Sequence, residues 1–598
     1  VSAYLAARPG LKAILLAVLS GFGLGSSCPA ALGVAPQGVL DNRAWEMVSP
    51  VEKNGGEVGA PGSKGAGVIQ AAAGGGALAF GSNASFGEAQ GAPPISQYLS
   101  ARGEGGWETQ NLSPSLLSGT YSGDPYLLFS PELSRALLTN GWSCRDGGGE
   151  CEAENPPLSA DAPPGYRNLY LREGSTYTPL ITNADSALLA TPPSEFELAF
   201  EGASPDLRHV AFSAVDHLYE WSEGTLAELS AVTGAALAAP SGAISADGSR
   251  LYFTQEGKLY LREGASTVQV DQAQGGGGSF QTASDDGSVA YYTKEGHLYR
   301  YDAVGKASQD LTPAGEVQGV LGAAADGSYL YYLGGGGLFA FHEGTSTKVA
   351  AAADATNYPP ATGTARVTPD GTRLLFLSKA SLTGYANVGK AEVFLYEAPA
   401  KKLICVSCNP KGTTPAGPSS IPGAIAPAGA PPTYKPRALT AEGTRVFFDS
   451  ADALLFTDSD GRPDAYEWGA KGAGGCTKAV GCLSLISGGR AGEAAFLDAS
   501  TEGSDAYFLT EASLLPADIG SRDVYDARAG GGFPESPPQL PCEGDDCQGP
   551  PSGPDDPTPG TAILEGPVNP PIQFAKKHHR KKHHHHRRRH HRHHGGKR

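Results

Sequence analysis

Hydrophobic and polar positions alternate in short runs along most of this chain, and the runs repeat. Ser245-Ala-Asp-Gly-Ser-Arg-Leu-Tyr-Phe253 is matched by Thr368-Pro-Asp-Gly-Thr-Arg-Leu-Leu-Phe376 and Thr440-Ala-Glu-Gly-Thr-Arg-Val-Phe-Phe448. Degenerate copies run Ser284–Tyr292 and Ala324–Tyr332. Asp-Gly or Glu-Gly predicts a tight turn, with glycine supplying the positive φ. The β-branched, aromatic and aliphatic residues after it predict a half-buried strand. A second turn, such as Gln255-Glu256-Gly257, leads to a Leu-Tyr strand at Lys258–Arg262, repeated at His217–Trp221, His297–Tyr301 and Gly337–Phe341. A third, at Arg262–Gly264, leads to a short outer strand. Each unit is thus a four-stranded antiparallel meander of about 40 residues, the size of one propeller blade.

Nine candidate units have inner strands ending near Phe80, Leu138, Phe212, Phe253, Tyr292, Tyr332, Phe376, Phe448 and Phe508. A lone meander cannot bury both faces, whereas blades in a ring can, and a ring limits exposed edges. The expected fold is therefore all-β, a β-propeller of about seven to nine such blades. The count leaves room for an outer unit that is an insertion or partial blade, and for an open or two-ring array. The last unit ends at Asp523-Val-Tyr-Asp526 without its own outer strand. Arg43-Ala-Trp-Glu-Met-Val48 is the segment expected to supply it and close the ring.

The turns Ser204-Pro-Asp206 and Thr368-Pro-Asp-Gly371 resemble those of the WD-repeat-like propeller family of TolB type, whose blades carry Ser-Pro-Asp-Gly-x-x-Leu-x-Phe. The resemblance covers roughly residues 60–530 and implies the propeller fold. It implies little about activity, because one fold hosts many functions.

Composition fits this picture. The chain has 598 residues, with 82 Gly and 46 Pro, yet 40% of positions are hydrophobic. Glycine does not recur every third residue, which excludes collagen. The Tyr, Phe and Trp clusters exclude full disorder, and the Gly and Pro content argues against a helical bundle. Arg8 and Lys12, the apolar stretch Ala13–Leu24 and the small residues that follow read as a signal peptide over 1–35. An uncleaved anchor is the alternative. Residues 43–530 form the expected propeller, 531–574 a Pro/Gly-rich linker and 575–598 a disordered tail. Eight cysteines beyond that leader fall into close pairs: Cys144/Cys151, Cys405/Cys408, Cys476/Cys482 and Cys542/Cys547. They read as short-loop disulfides in an oxidising compartment. Cys405-Val-Ser-Cys408 also has the spacing of a redox motif or half a zinc site.

Candidate chemistry is sparse. Asp458, Asp460 and Asp464, with Gly461, have the spacing of a short calcium loop, because a hard cation wants several oxygens on a tightly turned backbone. A solvated Asx-turn loop is the competing reading. The loop after Leu382 has no acids, and the one near Asp518 keeps only Asp518 and Asp523. There is no Gly-x-Ser-x-Gly elbow, His-Glu-x-x-His or P-loop. The last 24 residues hold 11 Lys/Arg, 10 His and no acid, while the rest carries 34 basic against 62 acidic residues. That tail suits an anionic polymer or lipid surface, or a transition metal held by imidazoles. No motif requires a cofactor, nucleic acid is not an expected partner, and a monomer is expected. The leading expectation is an exported, non-catalytic binding scaffold of the cell envelope or exterior, whose partner is a protein or wall polymer. The alternative is an exported propeller enzyme, of hydrolase or lactonase type, with a metal site in the central channel.

Overall fold

The repeated turns organise nine four-stranded antiparallel sheets. The computed structural model describes residues 40–533, apart from 64–65, 88–91, 94, 116–124, 140–156, 352–362, 427–429 and 491. In chain order the blades span 70–111, 126–179, 198–230, 236–269, 279–310, 319–351, 366–405, 419–485 and 494–528. The ninth blade takes its outer strand from Ala44–Met47, which pairs antiparallel with Asp523–Arg528. The N-terminal segment thus closes the ring.

Each strand that follows an Asp-Gly turn is second in its sheet, not innermost as the repeat suggested. An earlier strand lies before the turn: Leu198–Ala203 before His209–Ala214, and Gly319–Ala323 before Tyr329–Gly334. These first strands approach one another from blade to blade, and Gln70–Ala71 of blade 1 meets Ala494–Ala499 of blade 9. They surround the hub. Five of them carry a bulge against the second strand, at Tyr126/Leu128, Phe200/Gly202, Phe280/Thr282, Val320/Gly322 and Phe496/Asp498. A bulge adds local twist, which suits strands converging on an axis.

The core lies between blades. One apolar cluster joins blades 9 and 1 through Leu509, Val524, Leu78 and Phe80, and others join 1 to 2 and 2 to 3. The series continues through blades 3–5, 5–6, 6–7 and 7–9, so the buried layer runs round the whole ring. A polar latch reinforces it. The hydroxyls of Tyr252, Tyr291 and Tyr331 donate to Gly287, Gly327 and Gly371 carbonyls of the next blade's turn, each at 2.7 Å.

The turn motif now has a mechanism. Ser245 Oγ donates to Asp247 Oδ1 at 2.7 Å, and that oxygen also accepts the Ser249 N–H at 3.0 Å. These bonds hold the Asp247 carboxyl down to about 2. Ser284/Asp286 and Thr368/Asp370 repeat the arrangement.

Candidate metal centre and hub

Blades 7, 8 and 9 have long loops between their second and third strands. In all three a carboxylate opens the third strand: Glu392 opposite Ser378, Asp464 opposite Ser450, and Asp523 opposite Thr510. The next residue's N–H is accepted by a serine hydroxyl from the outer strand's end: Ser407 for Val393, Ser487 for Ala465, Ser49 for Val524. The same serine donates back to the carboxylate. An aromatic two residues on packs below, and in blades 8 and 9 its hydroxyl donates to a second acid, Tyr466 to Asp458 and Tyr525 to Asp518.

The three blades differ in how that frame is balanced. In blade 9 Lys53 is buried, and its ammonium lies 2.6 Å from Asp523 Oδ1. Ser521 donates to Asp523 Oδ2, and Asp518 accepts from the Gly520 N–H and from Tyr525, so all four carboxylate oxygens have partners. In blade 7 the second acid is replaced by neutral Asn387, whose amide donates to the Lys379 and Lys390 carbonyls. The loop itself has no acid, as expected, and the one carboxylate of this frame, Glu392, opens the strand that follows it. Burial pushes Glu392 up to about 7.

Blade 8 has no such balance. One oxygen each of Asp458, Asp460 and Asp464 lies within 4.8 Å of the others. Their neighbours account for only one oxygen per carboxylate: Tyr466 for Asp458, the Arg462 N–H for Asp460 and Ser487 for Asp464. The remaining oxygens, Asp458 Oδ1, Asp460 Oδ2 and Asp464 Oδ2, are buried without a hydrogen-bond partner. Asp464 is 1% and Asp458 5% exposed. Burial, and then the other two acids, push Asp464 up to about 7, and burial raises Asp458 as well. The sequence-predicted trio is therefore one cluster in space. Lys53, the counter-charge of the neighbouring blade, had no sequence signal, because it lies far along the chain from Asp523.

The hub is occupied from within. The first strand of blade 8 breaks after Ser420 and resumes near Leu439, which bridges to Val446. The described residues between them pair as the two arms of a hairpin, with Ile425 bridged antiparallel to Tyr434. Tyr434 donates to Asp498 Oδ2 of blade 9 at 2.6 Å. Arg437 donates to the Ala71 carbonyl of blade 1 and the Ala499 carbonyl of blade 9. Arg366 of blade 7 grips the hairpin's base through the Pro436 and Pro422 carbonyls, and burial lowers its pKa to about 10. Beside the hairpin a cavity of about 310 Å³ is bounded mainly by Pro, Ala, Gly and aliphatic side chains, with Gln70, Asp285, Tyr434 and Arg437 as larger polar groups.

Among the described residues two disulfides are formed, Cys405–Cys408 and Cys476–Cys482. Cys405 and Cys408 are thus bridged as a short-loop disulfide. Cys144, Cys151, Cys542, Cys547, the leader, the linker and the basic tail lie outside the described residues. The four histidines before the tail serve the blades: His209 contacts Glu220, His217 Glu228, His297 Asp310, and His342 stacks on Tyr329.

No family model and no curated relative matches the chain. Similar solved structures include a dipeptidyl peptidase 4 from Porphyromonas gingivalis, at 13% identity and TM-score 0.39, covering 75% of this chain and 56% of that one. The tricorn protease is similar at 11% identity and TM-score 0.28, covering 74% and 41%. The C-terminal WD40 domain of Sif2 is similar at 10% identity and TM-score 0.34, covering 81% and 98%. This chain therefore spans about half of either peptidase.

Proposed function

We propose that this protein is a non-catalytic propeller scaffold of the cell envelope or exterior, binding a protein partner on the face of its long loops and an anionic surface through its basic tail. One observation carries the protein-binding reading. Three adjacent blades each hold a large apolar side chain out to solvent from the equivalent loop: Val388 at 66%, Phe456 at 85% and Ile519 at 71% exposure. Single exposed apolar residues are ordinary on a protein surface, but recurrence in the same inter-strand loop of neighbouring blades marks a face. The hub hairpin supports binding over catalysis, since Arg437 and Tyr434 are spent on holding it to Asp498 and the ring. The two disulfides support an oxidising compartment.

The test is site-directed photo-crosslinking in intact cells, with the probe at Phe456, Ile519 or Val304. Val304 is equally exposed but lies in a blade-5 turn. The expected outcome is one discrete protein adduct from positions 456 and 519 and none from 304. Equal adducts from all three positions, or none from any, would overturn the reading. The tail is tested by sedimentation with anionic wall polymer. Binding should weaken with salt, strengthen as pH falls towards about 6, and disappear in a form ending at Phe574. Binding unchanged by truncation would remove the tail's role.

A further inference from the structure

From the three unpartnered carboxylate oxygens of blade 8 we infer that Asp458, Asp460 and Asp464 hold one calcium ion, which does there what the Lys53 ammonium does in blade 9. Two independent observations converge. One oxygen of each carboxylate lies within 4.8 Å of the others, and each carboxylate keeps one buried oxygen without a hydrogen-bond partner, with Asp458 and Asp464 more than nine-tenths buried. Burying a carboxylate oxygen without a hydrogen bond or counter-charge is costly, and three together repel one another as well. In blade 9 that cost is met by an internal cation, with Lys53 2.6 Å from Asp523. In blade 7 it is reduced by using Asn387 in place of an acid. Blade 8 keeps three acids, and the described residues supply no ammonium or guanidinium bond to any of the three free oxygens.

The donor set selects the ion class. All three ligands are carboxylates, with no imidazole or thiolate in the cluster, which suits a hard cation over zinc or copper. Calcium accepts irregular oxygen shells and completes its coordination with carbonyls and water, whereas magnesium demands a near-octahedral set. The loop is built to stay closed around the charge. Ser459 N–H donates to the Gly489 carbonyl at 2.9 Å, and a side chain at Gly489 would run into the Asp458 backbone.

The experiment uses the full chain stripped with a chelator, then titrated with calcium alone by calorimetry and followed by thermal unfolding. One calcium per chain should bind, and calcium at about 1 mM should raise Tm by a few degrees. Asp460→Asn should cut the affinity at least tenfold; Asp460 is the least buried of the three, and Asn there keeps the acceptor for the Arg462 N–H. Asp464→Asn should abolish the calcium response and also raise the Tm of the metal-free protein, because it removes a buried repulsive charge. Asp518→Asn, in the lysine-filled site, should leave the calcium response unchanged. A wild-type Tm indifferent to calcium, or a response that survives both Asp460→Asn and Asp464→Asn, would overturn the inference. So would an Asp464→Asn protein less stable than wild type without metal, since that would make the carboxylate a mere hydrogen-bond acceptor.

Discussion

Glycine in the Asp-Gly turn does two separate things, and neighbouring positions allow them to be told apart. Gly287 and Gly257 have nearly the same backbone, φ of 66° and 69°. A Cβ at Gly257 would meet nothing, while at Gly287 it would lie 2.9 Å from Arg250 Cβ of the previous blade. Both substitutions to alanine carry the strain of positive φ, worth about 1 kcal/mol. Gly287→Ala should cost clearly more, because it also pushes two blades apart. Denaturant unfolding of both variants checks this; equal losses would show that turn conformation alone explains the conserved spacing of the motif along the chain. The turn half of this was legible in the sequence, as was the Asp-Gly signal. The packing half was not, since Arg250 and Gly287 belong to successive repeats and nothing local announces that they touch.

At the scale of the element, the long loops of blades 7–9 show one frame with three electrostatic solutions. Glu392 gives a pH test of the frame. Its folded carboxyl is raised from 4.5 to about 7, so the folded state holds a proton that the unfolded chain releases. Stability from this group is therefore full below about pH 4.5 and is lost as pH rises through about 7. Glu392→Gln should remove that slope, making the variant relatively more stable than wild type at pH 8 than at pH 5. Thermal unfolding across that range reads it; a parallel offset at both pH values would mean that the carboxyl ionises freely. The second and third strands were readable because their aromatic and aliphatic residues alternate. The first strands were not, and the reason is physical. They converge on the axis and favour small residues: Gly202 and Gly322 lie against Leu237 and Val367 of the next blade, where a Cβ would clash. Small residues in bulged strands leave almost no periodic signal.

For the whole molecule, closure is reinforced by a buried ion-pair network in which Arg43 and Arg445 share Glu467 and Asp41. Arg43, 1% exposed, donates through Nε to Glu467 of blade 8 at 2.8 Å. It also donates to the Gly503 and Ala527 carbonyls of blade 9. Arg43→Ala would leave buried Glu467 with Arg445, 3.3 Å away, as its remaining ion partner and the Gly503 and Ala527 carbonyls without their donor, at a cost of about 1–3 kcal/mol. Hydrogen exchange should then show residues 44–47 and 523–528 losing protection before the other blades. Loss spread evenly over all nine blades would place the weak point elsewhere. The closing strand itself was legible, since the ninth unit lacked an outer strand and residues 43–48 had the pattern to supply one. The hub hairpin was not, because it interrupts a first strand that already carried no signal. Closure by the two ends also sets an order of events during synthesis. Residues 44–47 emerge first, and their partner 523–528 emerges last, so the ring stays open until nearly the whole propeller has been made. Through that interval the waiting edge is exposed to other nascent chains. The waiting segment, Ala44–Met47, carries Glu46 and follows Arg43, and charges of this kind discourage strand-to-strand association between copies. Glu46 and Arg43, which the finished ring buries, are gatekeepers against aggregation before it closes.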